Sequence, residues 1–335
     1  MKKVSLADVA SAAGVGKATA SRALSPSPHA DVREATRQHV RRIAEQLGYR
    51  PSRTAQALRT GRHLTLSLVV PLESWGWWAP VLQGATAEAN RLGYQLLIHP
   101  LHESLGLAGT LEELSYLALD GLVIVTPEHF EASQTAAVSR GLPTVLIDDV
   151  LTEPPFVTVR SDNAGGGALV ARHLLARGRR RPLIVAPSGQ AAFIDERIAG
   201  FRSVLAEAGI ACEDEAILIS DDDFDQPEPD IERLARRLTS CAPFDCVFAL
   251  TDYLAAPVLG ALRKAGYRVP QDVAVAGFDD ERIARLVDPP LTTVHQPTAQ
   301  LGELAVRLVV EGQTEAPEAT RLHTLPVSLV ERASS

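Results

Sequence analysis

Asp148, Arg197 and Asp279 are the side chains from which an acid–base set could be assembled in this sequence. No nucleophile–base pair and no phosphate-binding loop accompanies them, so an enzyme is not expected. Gly14-Val15-Gly16-Lys17 resembles the end of a phosphate loop, but Ala18 follows where such a loop needs Ser or Thr, and no strand precedes it. Gly165-Gly166-Gly167 lacks dinucleotide spacing, and the preceding Asp162-Asn163 reads as a helix cap. Cys212, Cys241 and Cys246 are odd in number and lack metal-ligand spacing, which suits thiols of a cytosolic protein. The nine histidines form no ligand pattern, so no metal or cofactor is expected. Arg177-Gly178-Arg179-Arg180-Arg181 has the charge for a polyanion, but at a helix C-terminus it reads as solvated charge matching the helix dipole.

The stronger chemical signal is the distribution of charge. The 335 residues carry a net charge of −8, yet residues 1–62 hold 12 Lys and Arg against 4 Asp and Glu, a net +8. The rest of the chain therefore carries −16. A basic head on an acidic body points to a polyanionic partner for the head alone. The length allows two or three domains, and no apolar run reaches the length of a membrane span. Met1-Lys2-Lys3 has the charge of a signal n-region, but no continuous apolar segment or cleavage site follows it, so a cytoplasmic protein is expected.

The elements that would carry the head's chemistry are short helices. Ser5 with Asp8 three residues later begins one. Leu6, Val9, Ala10 and Ala13 share a face, and Gly14 ends the helix. Lys17 to Leu24 forms a second, with Ala10 and Ala20 small where the two would cross. Lys17, Ala18, Ser21 and Arg22 point away from the apolar side. That is the logic of a helix-turn-helix presenting its second helix to the major groove. A third helix follows, with Val32, Thr36, Val40, Ile43 and Leu47 on its apolar face and Gly48 as its stop. Arg53 to Arg59 could form one more helix, too short to be stable alone.

Residues 1–62 resemble the DNA-binding head and hinge of the LacI/GalR family. The resemblance is carried by Leu6, Asp8-Val9-Ala10, Gly14-Val15, Thr19, Ser21-Arg22, Thr36-Arg37, Val40, Leu47-Gly48-Tyr49, Pro51, Ala55 and Leu58. It implies that Lys17, Ala18 and Arg22 read bases, with Ser5, Thr19 and Ser21 among the DNA-binding residues. It also implies that Ala55 and Leu58 enter the minor groove, Leu58 as an apolar wedge, on a hinge helix that folds when two subunits pair on DNA. Two positions depart from the family's pattern. Gly16 stands where a Ser usually caps the recognition helix, and Arg33 stands where a Ser usually caps the third, with Asp31 as the alternative cap.

From Leu64 onward, apolar strands alternate with amphipathic helices. Strands are expected at 64–70, 94–98, 121–125, 143–147, 182–186, 246–250 and 273–277, and helices at 79–92, 164–176, 198–208, 231–238 and 254–265. This alternation predicts parallel sheets covered by helices on both faces. About 270 residues are too many for one such sheet. The expected architecture is a small all-α helix-turn-helix head followed by two doubly wound parallel-sheet α/β lobes, with ligand bound in the crevice between them.

The segments "GLVIVTP", "GLPTVLID", "FVTVRSDNAGG", "RIAGFRSVL", "DVAVAGFDD" and "PPLTTVHQP" extend the resemblance through the body. The fold implied is like a periplasmic sugar-binding protein whose chain crosses between lobes three times. Expected boundaries are 1–50 for the head, 51–63 for hinge and linker, 64–160 with 293–324 for one lobe, and 161–292 with 325–332 for the other. By position, the resemblance places Trp77, Trp78, Asp148, Arg197, Phe224, Thr251, Asp252 and Asp279 in the effector pocket.

The function expected is a homodimeric repressor on pseudo-palindromic double-stranded operator DNA, controlled by a small effector, with no membrane partner. Two indoles, several acids and one Arg suit a neutral sugar better than a nucleobase or sugar phosphate. Those ligands and a phosphoprotein corepressor are the alternatives within the same function. A solute-binding protein of a sugar transporter is the alternative of another class. The body suits it, but the basic head and missing signal peptide do not.

Overall fold

The structure, a computed structural model, describes residues 4–25, 31–50, 57, 61–71, 75–101, 106–125, 142–148, 156–188, 191–219, 230–241, 243–312, 314 and 321–335. The chain divides into two compact units, residues 1–64 and 65–335.

The first unit contains α1 (Leu6–Ala12), α2 (Lys17–Ala23) and α3 (Glu34–Gln46). Ser5 begins α1 with a capping box: its Oγ accepts from the Asp8 N–H at 3.3 Å, and Asp8 Oδ2 accepts from the Ser5 N–H at 2.8 Å. Gly14, at φ +64°, makes the tight turn into α2. Small residues let the helices touch: Ala10, Ala13, Ala20, Ala23 and Ala44 surround Val9, Val32 and Val40. Two expectations about the head need correction. Leu47 is 40% exposed, because it lies past the end of α3 rather than on its buried face. Asp31 does not cap α3, whose N-cap Arg33 has no side-chain cap bond; Asp31 instead pairs with Arg22.

The second unit runs β1 (Thr65–Val70), α4 (Trp75–Arg91), β2 (Gln95–Pro100), α5 (Gly106–Leu114), β3 (Gly121–Val125), β4 (Thr144–Ile147), β5 (Val157–Ser161), α6 (Asn163–Ala176), β6 (Pro182–Ala186), α7 (Ala192–Glu207), β7 (Ile217–Ile219), α8 (Ile231–Ser240), β8 (Cys246–Ala249), α9 (Asp252–Lys264), β9 (Ala274–Ala276), β10 (Thr293–His295), α10 (Thr298–Val310), β11 (Leu322–Leu325) and β12 (Ser328–Val330). One parallel sheet has the order β11-β5-β4-β3-β1-β2, and a second, also parallel, has β7-β6-β8-β9. β10 and β12 form a short antiparallel pair. β3, apolar throughout, and β4, apolar after Thr144, are buried along their whole length, as central parallel strands under helices on both faces must be. These sheets make two α/β lobes within the second unit.

Two helices start earlier than periodicity suggests. α4 begins at Trp75 and holds Pro80 inside it, and α7 begins at Ala192, which places Arg197 on a helix. Each lobe is tied by a helix crossing that glycine makes possible. In the first lobe, a Cβ added at Gly84 of α4 would lie 1.9 Å from the Ala299 carbonyl oxygen of α10, and one at Gly302 would lie 2.1 Å from that of Val81. In the second, a Cβ at Gly200 of α7 would lie 1.9 Å from the Ala164 carbonyl oxygen of α6, and one at Gly167 would lie 2.1 Å from that of Arg197. Backbones thus meet directly in both lobes.

Candidate functional site

In the head, the cap and turn that shape α1 leave α2 with one buried edge, Ala20 and Ala23, and one open edge. Lys17, Ala18 and Arg22 are exposed there, and Thr19 and Ser21 are half-buried beside them. Lys17, Ala18, Ser21 and Arg22 therefore sit together on the outer side of a helix, as their spacing predicts. Gly16 is the N-cap of α2 and supplies no side-chain bond. Ala55 and Leu58 lie outside the described residues, as does Phe224 of the pocket set.

In the body, the site is built on Arg197. Its helix, α7, is held against α6 by Gly167 and Gly200, so the crossing fixes the Arg197 backbone. The side chain is 2% exposed. Its Nε donates to Asn163 Oδ1 at 3.0 Å and its Nη1 to the Leu250 carbonyl at 2.5 Å. The guanidinium carbon lies 3.6 Å from the Phe278 ring centroid and 4.7 Å from that of Phe193. Two rings and two acceptors thus hold the fork in one orientation. The Gly165–Gly167 run belongs to the same construction. A Cβ at Gly165 would strike the Asp162 carboxylate, which caps α6, and one at Gly166 would lie 2.4 Å from the Phe278 ring.

Acids gather around this one cation. Asp279 Oδ1 is 3.5 Å from Arg197 Nη1 and accepts from Gln296 Nε2 at 2.7 Å. Asp148, at the end of β4, and Asp252 also act on Arg197 by charge. Asp148 and Asp279 both hold positive φ, +79° and +115°, and such backbone strain clusters at functional sites. Burial pulls the Arg197 pKa down while the Asp279 charge pushes it back. Burial pushes the Asp279 and Asp252 carboxyls up, the second also through the Asp279 charge. Burial and the Asp279 charge raise Glu281 to about 8. Among the described residues, several carboxyls face the one guanidinium of Arg197.

Other predicted residues serve the fold. Thr251 Oγ1 caps α9 by accepting from the Leu254 N–H at 3.2 Å. Asp252 spends one oxygen on the Thr293 hydroxyl at 2.6 Å and the other on the Glu281 N–H at 2.8 Å. These two therefore build the wall of the site. Trp78 has no exposed surface and Trp77 is half-buried, so only one of the two indoles is open to solvent. Asn163, Phe278 and Gln296 were not foreseen. Their signals were adjacency: Asn163 follows the α6 cap, Phe278 precedes Asp279, and Gln296 ends "TTVHQ". The arginine run is consumed locally: Arg177 by Glu331 at 2.9 Å, Arg179 by the Pro270 carbonyl, Arg180 by the Leu175 carbonyl at 3.0 Å, and Arg181 by Asp245 at 3.7 Å. Among the described residues no group of His, Cys, Asp or Glu is placed to hold a metal ion, and no helix is long and apolar enough to cross a membrane.

Comparison with known proteins follows the division between the units. Residues 5–52 match the family described as bacterial regulatory proteins, lacI family, and residues 171–335 match a periplasmic binding protein-like domain. The chain is 32% identical over 342 aligned positions to the HTH-type transcriptional regulator CelR of Thermobifida fusca, covering 96% of each chain. It is 30% identical to the ribose operon repressor of Haemophilus influenzae, covering 98% of this chain and 97% of that one. Among solved structures, a CelR–cellobiose complex superposes with a TM-score of 0.72 at 30% identity, over 99% of this chain and 100% of that one. A lac repressor dimer bound to operator and the anti-inducer ONPF shares the fold, with a TM-score of 0.83 at 24% identity and 99% of each chain covered.

Proposed function

We propose that this chain, which belongs to the LacI family of bacterial regulatory proteins, represses transcription under the control of a neutral sugar held beside Arg197. Membership makes it a DNA-binding transcriptional regulator and not an enzyme. The observation that carries the sugar reading is the charge balance around Arg197, one buried cation facing Asp279, Asp252 and Asp148. A phosphorylated ligand would bring negative charge to carboxyls that are already pushed toward their neutral forms. Sugar hydroxyls add none, and they can donate to Asp279 and Asp148 while accepting from the Arg197 fork. The half-buried Trp77 offers a face for the apolar side of a sugar ring. The sugar in the CelR complex and the ribose operon of the second relative lie in the same direction.

On the DNA side, Lys17, Ala18 and Arg22 face the major groove as two copies of the chain sit on a pseudo-palindromic operator, with Ser5, Thr19 and Ser21 alongside. Ala18 meets a thymine methyl, being too short to hydrogen-bond a base edge. Arg22 is shared with Asp31 in the free head, so DNA competes for it. Sugar binding shifts the equilibrium between lobe arrangements and with it operator affinity.

The test is a fluorescence titration. All three tryptophans, Trp75, Trp77 and Trp78, fall at the start of α4. Cellobiose, other mono- and disaccharides, purines and sugar phosphates are titrated in turn. A saturable change with a neutral sugar, which then alters operator binding, is expected. A response only to a purine or a phosphorylated compound overturns the sugar reading and leaves the regulator standing. Operator affinity should fall as salt rises, by about 0.9 log units per log unit of salt for each phosphate neutralised.

A further inference from the structure

The first turns of α4 and α9 belong to different lobes, yet they meet. A Cβ added at Gly76 would lie 2.0 Å from Glu281 Oε2 and 3.0 Å from the Tyr253 hydroxyl oxygen. The Tyr253 hydroxyl and the Glu281 carboxyl act on each other electrostatically, and the Glu281 N–H donates to Asp252 Oδ2 at 2.8 Å. Only a residue without a side chain leaves room for this approach.

The two turns share a second feature. Pro80 lies four residues after Gly76, and Pro257 lies four residues after Tyr253. Proline has no N–H to donate, so neither the Gly76 nor the Tyr253 carbonyl has the donor that the next helical turn would normally supply. Each helix is thus less firmly tied at the residue that meets the other lobe. What meets the Gly76 backbone is one carboxyl and one hydroxyl. Such a contact suits repeated opening and closing.

We propose that Glu281 and Tyr253 form a latch that closes on Gly76 and holds the mouth of the Arg197 cleft shut. Glu281 supplies the reach, Tyr253 orients its carboxyl, and Gly76 is the surface it closes on. The upward shift of the Glu281 carboxyl agrees with an acid drawn out of water by closure beside Asp279. The latch rests on the cleft proposed above, but its test needs neither effector nor DNA, so the two can fail separately.

The test measures a distance across the lobes of the full chain. Spin labels are placed through Asn90→Cys at the far end of α4 and Arg263→Cys at the far end of α9, both exposed positions. Cys212 and Cys241 are replaced by Ser and Cys246 by Ala, and labelled chain is diluted with unlabelled chain so that each pair is read within one molecule. Glu281→Ala and Gly76→Val should each lengthen and broaden the distance distribution by several ångströms. Glu281→Gln, which keeps an acceptor for Tyr253, should reproduce the parent. A parent-like distribution in Glu281→Ala overturns the latch, whatever Gly76→Val does. A shift in Glu281→Gln as large as in Glu281→Ala overturns the role given to Tyr253.

Discussion

The two lobes solve the same packing problem and reach opposite electrical outcomes. In the first, α4 and α10 cross through Gly84 and Gly302, and the crossing is completed by Glu88. That buried carboxylate takes two bonds from Arg91, at 2.6 and 2.7 Å, and one from Arg307 at 3.0 Å. The Arg91 hydrogen bond leads in holding Glu88 at about 2, against the opposing effect of burial. In the second lobe, α6 and α7 cross through Gly167 and Gly200, and the crossing is completed by Arg197 among acids whose carboxyls are pushed upward. One crossing is electrically settled, its carboxylate matched by two guanidinium groups. The other is left with surplus acid, and perturbed groups of this kind mark sites with work to do. The ligand site proposed above lies where the fold has left its charges in competition.

Arg197→Met breaks this contrast most severely. It leaves Asp279 buried without its cation, and the loss of one partner of a buried pair costs about 3–5 kcal/mol. Thermal unfolding should show that loss, and the fluorescence response to sugar should vanish. Adding Asp279→Asn should recover part of the stability and none of the response.

Alanine in place of the crossing glycines sharpens the comparison at smaller cost. Gly84→Ala and Gly200→Ala each force a methyl against a carbonyl oxygen and should destabilise by about 1–3 kcal/mol. Only Gly200→Ala should also weaken sugar binding, because α7 carries Arg197. Equal losses of sugar affinity in both variants would dissolve the distinction between the lobes.

The smallest effect is read in pH. Glu88 is bound below its ordinary 4.5, so the stability it contributes is present above that value and fades as pH falls toward about 2. Glu281 titrates at about 8 in the fold, so it is favourable while protonated and its contribution is lost as pH rises from about 4.5 through 8. Unfolding temperatures measured from pH 3 to pH 9 should fall at both ends. Glu88→Gln should blunt the acid limb and Glu281→Gln the alkaline one.

Much of this was legible in the residues. Apolar runs such as Gly121–Val125 and Pro182–Ala186 announce buried parallel strands, because they are short and rich in branched side chains. Ser5 and Asp8 announce a helix start, and Gly14 a turn. Short and exposed elements were less legible. β11 alternates exposed and half-buried residues at a sheet edge and carries no apolar signal. Arg197 and Asp279 stood out through the resemblance of their segments, but what orients them did not. Phe278, Asn163 and Gln296 matter because the fold brings them to one guanidinium, and their own neighbourhoods in sequence do not say so. The same holds for Thr251 and Asp252, polar residues after a strand whose bonds turn inward.

The placement of β11 and α10 has a consequence for how the chain is made. Both belong to the first lobe, β11 beside β5 and α10 across α4, although most of the second lobe lies between them and the rest of that lobe in sequence. On the ribosome, β1 to β5 emerge long before the helix that covers them. Gly84 then faces an open groove while most of the second lobe is synthesised. Such non-local closure is slow and leaves apolar surface uncovered in the meantime. A ribosome stalled after β9 should therefore display a first lobe that is open to protease along α4.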